Sequence, residues 1–295
     1  MAHSTPLVSV ICLCYNQSSF IAEAIGSVAN QTYPNVELIV VDDKSEDESI
    51  VQIQDALEKY FPSGVLIANQ ENLGMCKAFN RGLAASRGDF IIDLAGDDVL
   101  LANRISLGVA QLNTKGTTYG VHYGKAMQID EKGNELGLVK VYDSPKKEGD
   151  LYEALIKRFM ISAPTMLTRR SVLDAMGGYD ETLAYEDFDF WIRSSRQCLY
   201  AYSDEVIVYK RTHADNHSRQ HRQPGNQLMR TTLKVCEKIY QLNHERSEYM
   251  ALRERLIYQL KASLRYGNFS CLPGYFKLLV KTLRAIKNAE RTNST

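Results

Sequence analysis

The sequence has no excess of charge: 35 Lys and Arg stand against 35 Asp and Glu, a formal net charge of +0. Proteins that hold nucleic acid usually carry a clear basic excess, so this balance removes any global electrostatic argument for that partner. Nor does any apolar run approach the roughly 20 residues needed to cross a bilayer. The opening Met1-Ala2-His3-Ser4-Thr5-Pro6 lacks the charged and apolar regions of a secretory signal, so the expected setting is the cytoplasm. The 6 cysteines, Cys12, Cys14, Cys76, Cys198, Cys236 and Cys271, are scattered, without the paired spacing of a zinc site or the density of a disulfide scaffold. Cys12 and Cys14 would share a face of an extended strand. With no second pair to complete four ligands, they read as buried thiols.

What is present is the makeup of an ordinary globular chain with a full core, 44% hydrophobic and 24% charged. The first half alternates short apolar runs with helical periodicity, the rhythm of βαβ units. Val8 to Leu13 reads as a strand, and Ser18-Ser19 as the cap of a helix through Ile21, Ala24, Ile25 and Val28. Further strands are expected over Val36 to Val41, Val65 to Ala68 and Phe90 to Leu94, with helices over Ser49 to Tyr60 and Met75 to about Ser86. Thr117 to Asp143 reads as a hairpin around Asp130-Glu131-Lys132-Gly133-Asn134. A helix from Arg170 ends at Gly177-Gly178, another starts near Tyr185-Glu186-Asp187, and a last strand covers about Leu199 to Tyr209. The predicted class is α/β, a mostly parallel mixed sheet flanked by helices. Helical periodicity beyond Pro224-Gly225 divides the chain into a domain over 1–224 and a helical region over 225–295.

The carboxyl edge of such a sheet collects Tyr15-Asn16, Asp42-Asp43, Asn72 and Asp97-Asp98, and open α/β sheets bind ligands at that edge. Asp97-Asp98 has the chemistry to hold a divalent cation and a ribose hydroxyl; equally, Asp98 can start the helix containing Arg104 and Ile105. Asp43 suits either the imide N–H of a uracil ring or the cap of the helix after Lys44-Ser45. Asn72 to Gly82 places Gly74 at a helix entrance, either close packing on the sheet or a wall where Lys77 meets phosphate at the positive helix end. Glu186-Asp187 at a helix start reads as ordinary dipole compensation. Lys210-Arg211-Thr212-His213 reads as a polar loop, and His217 and His221 lack carboxylate or Cys partners at metal-site spacing.

Taken in order, Val8 to Asn16, Asn30-Gln31-Thr32-Tyr33-Pro34-Asn35, Val40 to Ser45, Asn72 to Gly82 and Gly96-Asp97-Asp98-Val99-Leu100 strongly resemble the family 2 glycosyltransferases, inverting enzymes of the GT-A fold. The resemblance runs from about Leu7 to His213. It implies a nucleotide-sugar donor, most simply a UDP-sugar, bound by Cys14, Tyr15, Asn16, Asp43, Asn72, Gly74, Lys77 and Asp97. It also implies Mg²⁺ or Mn²⁺ on Asp98, and Arg211 and His213 on a loop against the diphosphate. Asp187, with Glu186 second, stands where the family has its catalytic base. Two positions depart: Leu13-Cys14 replaces the usual Pro-Thr, and Ala95 replaces the first Asp of many D-x-D triplets, leaving the metal site to Asp97 and Asp98. The implied acceptor is a saccharide or lipid-linked saccharide, in the setting of bacterial surface-polysaccharide assembly. A sugar-nucleotidyltransferase would need a Gly-rich basic loop where Leu13 to Ser18 stands, and a non-catalytic nucleotide-sugar-binding module would have shed the acidic residues.

Leu272 to Glu290 completes the reading. Leu272, Tyr275, Phe276, Leu279, Val280, Leu283 and Ile286 recur at helical spacing, beside Lys277, Lys281, Arg284 and Lys287. A basic amphipathic helix of this kind fits the surface of an anionic membrane; the other uses of its stripe are packing on the preceding helices, Leu252 to Leu264, or on a second subunit of a homo-oligomer.

Overall fold

The computed structural model of the protein describes residues 5–213 and 227–292. Strands β1 (Val8–Cys14), β2 (Val36–Asp42), β3 (Val65–Ala68) and β4 (Phe90–Ala95) alternate with helices α1 (Ile21–Ala29), α2 (Ser49–Tyr60) and α3 (Met75–Ala85). The four strands lie parallel in the order β3-β2-β1-β4. The chain continues through β5 (Val99–Leu100), α4 (Arg104–Lys115), β6 (Tyr119–Ile129), β7 (Glu135–Leu138), α5 (Tyr152–Lys157), β8 (Leu167–Arg169), α6 (Arg170–Met176), α7 (Asp187–Ser194) and β9 (Leu199–Arg211). The sheet extends as β4-β8-β6-β9-β5, with β7 folded back on β6. β8 runs antiparallel to both β4 and β6, so β6 and β9 point the same way as the first four strands. The molecule is thus an α/β protein built on a mostly parallel mixed sheet flanked by helices.

Alternation along the strands explains the two layers. Val8, Val10, Cys12 and Cys14 face one way and pack with α1, α2 and α4. Ile11, Ile39, Val41 and Ile91 face the other way, toward α3, α5 and α7. Cys12 and Cys14 are buried and free, and share the first face.

Several elements depart from the sequence reading. No Ser18 or Ser19 side chain caps α1; the Ser18 amide donates instead to Asp47, because the chain there packs against the start of α2. Asp98 does not start α4, which begins at Arg104 after Asn103. The short strands β5 and β8 carry no periodicity of their own and exist through pairing with β9, β4 and β6.

Beyond β9, helices α8 (Gln227–Leu242), α9 (Arg246–Arg265) and α10 (Leu272–Thr292) follow. The proposed boundary at Pro224-Gly225, like His217 and His221, lies outside the described residues. Leu228, Val235, Ile239, Leu252, Leu256 and Tyr275 share one apolar cluster with α5 and α7. Asp189 of α7 anchors this docking, bonding both Arg193 and Lys238 of α8 at 2.6 Å.

Gly82 sets how closely α3 approaches the sheet, since a Cβ there would stand 2.4 Å from Ile11 Cγ2 and 3.1 Å from Val41 Cγ2. Gly82→Ala is expected to lower the urea midpoint by an amount worth about 1–3 kcal/mol, as overpacked cores do. Gly26→Ala is the contrast: its nearest neighbour, Tyr60, is 4.0 Å away. Removing a helical glycine there should raise stability by up to about 1 kcal/mol.

Candidate active site

The carboxyl ends of β1 and β2 each hand the chain to a residue with positive φ, Asn16 (φ 53) and Lys44 (φ 67). Such backbone is uncommon for non-glycine residues and persists where surrounding bonds fix it. Here the Asn16 amide donates to Ser45 Oγ and Asn16 Oδ1 accepts the Glu46 amide. Asn16 therefore clasps the second loop, while Tyr15 beside it is 43% exposed at the mouth. Cys14 faces the α1 and α2 layer, where burial pushes its thiol up to about 12.

Asp43 organises the third loop. Its carboxylate accepts Asn69 Nδ2 at 2.7 Å, the Leu73 amide at 2.9 Å and the Gly74 amide at 2.8 Å. Asn69 is itself held by Arg81 at 2.6 Å. Oδ1 has two donors and Oδ2 has one, so Oδ2 keeps a lone pair for an incoming N–H. Asp43 does not cap α2; the Ser45 amide goes to Asp42 instead. Gly74, at φ 81 and with nothing within 4 Å of a Cβ position, turns the loop into α3. Asn72 and Lys77 lie exposed on either side of it.

Asp97 and Asp98 follow β4, both nearly buried at 6% and 3% exposure. Asp98 Oδ1 accepts the Arg211 amide at 2.9 Å, and Asp97 Oδ2 lies 3.0 Å from His213 Nε2. Burial first, then the Asp97 charge, pushes the Asp98 carboxyl up to about 8, against the pull of Lys210 and Arg211. A second acidic group meets at the start of α7. Burial, then Asp187 and Asp93, drives Glu186 well above the usual carboxylate range, and its Oε2 is buried without a partner among the described residues. Asp187 is raised by burial and pulled back by Lys210. Asp93 on β4 acts on this second group, bonded by the Tyr179 hydroxyl at 3.1 Å and raised to about 7 by burial and by Asp187.

Sequence reasoning passed over Asp93 and named Lys210 only within the stretch Lys210 to His213, whose basic residues the family resemblance sets against the diphosphate. The signal for Asp93 was there, an acid inside an apolar strand on the parity of Ile91, which faces α3 and α7. Lys210 acts electrostatically on Asp98, Glu186 and Asp187 at once. Arg211 is turned away, its guanidinium spent on the carbonyls of Asp97, Asp130 and Glu131 and on Glu23.

The Asp97-Asp98 donor set is hard oxygen, nearly buried, and ionisation of Asp98 is disfavoured by burial and by Asp97, which fits Mg²⁺ or Mn²⁺ completed by water and phosphate. Among the described residues no group of three or more His, Cys, Asp or Glu is placed to hold a metal without such help. On the α7 side of the sheet a cavity of about 630 Å³ opens between β6 and the following segment, lined by Tyr123, Lys125, Tyr142, Lys147, Ser162 and Tyr202.

Residues 9–177 match the model of glycosyl transferase family 2. An uncharacterized glycosyltransferase of Rickettsia prowazekii (strain Madrid E) is 31% identical over 214 residues, 71% of this chain and 65% of that protein. A Rickettsia felis glycosyltransferase is 28% identical over 257 residues, 84% of this chain and 41% of the relative, so the chain spans less than two thirds of either. Among solved structures, S. aureus TarS 1-349 in complex with UDP-GlcNAc superposes with a TM-score of 0.69 at 19% identity, covering 95% of this chain and 81% of that one. Mannosyltransferase PcManGT from Pyrobaculum calidifontis, in complex with GDP-Man and Mn²⁺, gives 0.61 at 17% identity, covering 99% and 80%. At these identities the likeness to solved structures establishes the GT-A-like fold.

Asp43→Ala strands the Leu73 and Gly74 amides, each buried bond being worth about 1–3 kcal/mol when its partner is removed. Hydrogen exchange at residues 69–74 is expected to accelerate while β1 and β4 keep their protection; unchanged exchange would free Asp43 from this role. Asp93 makes a pH prediction. Its pKa is raised in the folded state, so the neutral form is favoured there and stability falls as pH climbs from about 4, where the unfolded carboxyl ionises, to about 7. Asp93→Asn keeps an acceptor for Tyr179 and removes that proton. Its urea midpoint should exceed the wild type at pH 8 and converge with it near pH 4.

Proposed function

The chain belongs to glycosyl transferase family 2, and from that membership we propose that it transfers a sugar, with inversion, from a nucleoside diphosphate donor to a hydroxyl of a saccharide or lipid-linked saccharide. One observation carries the reading: two acidic groups, Asp97-Asp98 after β4 and Glu186-Asp187 at the start of α7, both lie within the field of Lys210. A diphosphate leaving group needs counter-charge, and an acceptor hydroxyl needs a proton acceptor. The two groups answer the two needs.

In this mechanism the nucleoside, uridine in our reading, lies between Tyr15 and the free lone pair of Asp43. Asn16, Asn72, Gly74 and Lys77 form the wall of its pocket, and Cys14 supports that wall from behind β1. UDP-GlcNAc and GDP-Man bound to the two structural neighbours support a nucleotide sugar as donor. Asp98 would hold Mg²⁺ or Mn²⁺, with Asp97 beside it, supplying Lewis-acid compensation for the diphosphate charge. Lys210 adds a fixed positive charge on the same side, while His213 orients Asp97 and the Arg211 amide orients Asp98. Asp187 takes the proton of the acceptor hydroxyl, whose oxygen attacks the anomeric carbon as the bond to the diphosphate breaks. The electron pair leaves with the nucleoside diphosphate, and the configuration inverts. Glu186, whose carboxyl is raised by burial and by Asp187, is the second acid of the pair. Assembly of bacterial surface polysaccharide on the cytoplasmic side is the setting we propose.

Release of nucleoside diphosphate from UDP-sugars with Mn²⁺ present tests the whole scheme. EDTA and Asp98→Ala are each expected to abolish release. Asp187→Asn should lower turnover about 10²–10⁴-fold with donor affinity unchanged. Glu186→Gln should be the milder of the two. Full turnover in chelator would remove the metal from the mechanism, and a crippling Glu186→Gln with a mild Asp187→Asn would move the base by one residue.

A further inference from the structure

Helix α10 was expected to present a single apolar stripe; the structure divides it. Tyr275, Leu278 and Ile286 are buried against the helices before them, together with the Thr282 side chain. Phe276 is left 62% exposed and Leu283 46% exposed. At 100° per residue, Phe276, Val280, Leu283 and Lys287 fall within about 60° of arc, with Arg284, Lys277 and Lys281 along one flank. Lys277, Lys281, Arg284 and Lys287 are all exposed. The only acidic residue in this helix is Glu290, which pairs with Arg246 of α9. At the tip of the α9–α10 hairpin, two more large apolar side chains stand in solvent, Leu264 at 57% and Phe269 at 63% exposure.

We propose that the tip and outer face of the α9–α10 hairpin form a docking surface for an anionic lipid bilayer. Exposed aromatic and aliphatic groups beside a row of lysine and arginine are what an interfacial helix uses: the apolar groups enter the acyl boundary and the cations meet lipid phosphates. Charge decides against a second copy of this face as the occupant, because an isologous pairing would set two basic rows against each other. No helix among the described residues is long and apolar enough to cross a membrane, so the contact lies on the surface. The stripe needed for the protein's own core is already used by Tyr275, Leu278 and Ile286, and among the described residues Phe276 and Leu283 stand in solvent. The surface stands on these observations alone. Its link to a lipid-linked acceptor, presented to the site at the membrane plane, rests on the function proposed above.

Flotation of the full chain with phosphatidylglycerol-containing vesicles and with pure phosphatidylcholine vesicles, at low salt, tests it. Binding to the anionic vesicles alone is expected, lowered about tenfold or more when Lys277, Lys281, Arg284 and Lys287 are all changed to Gln. Phe276→Ser with Leu283→Ser should weaken binding comparably, and thermal melting shows whether these exposed positions leave the fold intact. Should that pair disturb folding, Phe269→Ser at the hairpin tip repeats the test. No flotation of the full chain overturns the proposal, as does flotation that neither set of changes reduces. Light scattering that finds a dimer converted to monomer by the Phe276 and Leu283 changes would also overturn it, assigning the face to a subunit contact. Nucleoside diphosphate release without vesicles is measured on the same samples, so a failed enzymatic reading and a failed membrane contact give separate results.

Discussion

Arg211 is the side chain on which the geometry of the acidic edge depends. At 2% exposure it carries a full charge into the interior, and it is tolerated there because every direction of its guanidinium meets an acceptor. Nη1 reaches the Asp130 and Glu131 carbonyls in the β6–β7 turn, Nε the Asp97 carbonyl after β4, and Nη2 the Glu23 carboxylate on α1. The guanidinium lies 4.9 Å from the Phe20 ring centroid, and the Arg211 amide fixes Asp98. One residue at the end of β9 thus pins the ends of β4 and β6 to the first crossover helix. Loss of one partner from such a buried charge cluster typically costs about 3–5 kcal/mol.

The reason for this much fixing is electrostatic. Asp93, Asp97, Asp98, Glu186 and Asp187 converge where water is scarce, and the shifts of Asp93, Asp98, Glu186 and Asp187 all run upward. Burial disfavours ionisation of each of these four carboxyls, and Lys210 pulls the other way on Asp98, Glu186 and Asp187. A positive charge brought among these carboxyls would favour their ionised forms and relieve that cost.

How much of this was legible depended on whether the cause was local. The first four strands and three crossovers could be read almost to the residue, because Val8 to Leu13 and Val36 to Val41 are apolar runs closed by polar edges, a pattern that period and turn chemistry specify. The edge residues Asn16, Asp43, Gly74, Asp97 and Asp98 were legible for the same reason. β8 and β5 were not, since three and two residues carry no period and are defined by their partners. Asp93 was quoted as part of a strand and given no role, although an acid on an inward parity has either to pair or to serve.

The harder cases are those where two readings of one residue were both sound chemistry and only the third dimension chose. Asp43 was weighed as helix cap or ring acceptor, and the structure gives it another task, holding the 69–74 loop through three donors, which leaves one lone pair free for a ligand. Lys210 and Arg211 are consecutive, basic and equivalent in sequence, yet strand alternation sends one toward the carboxylates and the other into the interior. Helix α10 shows the same division within a single stripe: Tyr275 and Phe276 are adjacent, and the 100° between them separates core from solvent. Periodicity finds such a stripe, but which part of it meets the protein is decided by the angle at which α9 crosses it, and that angle is a property of the packed bundle.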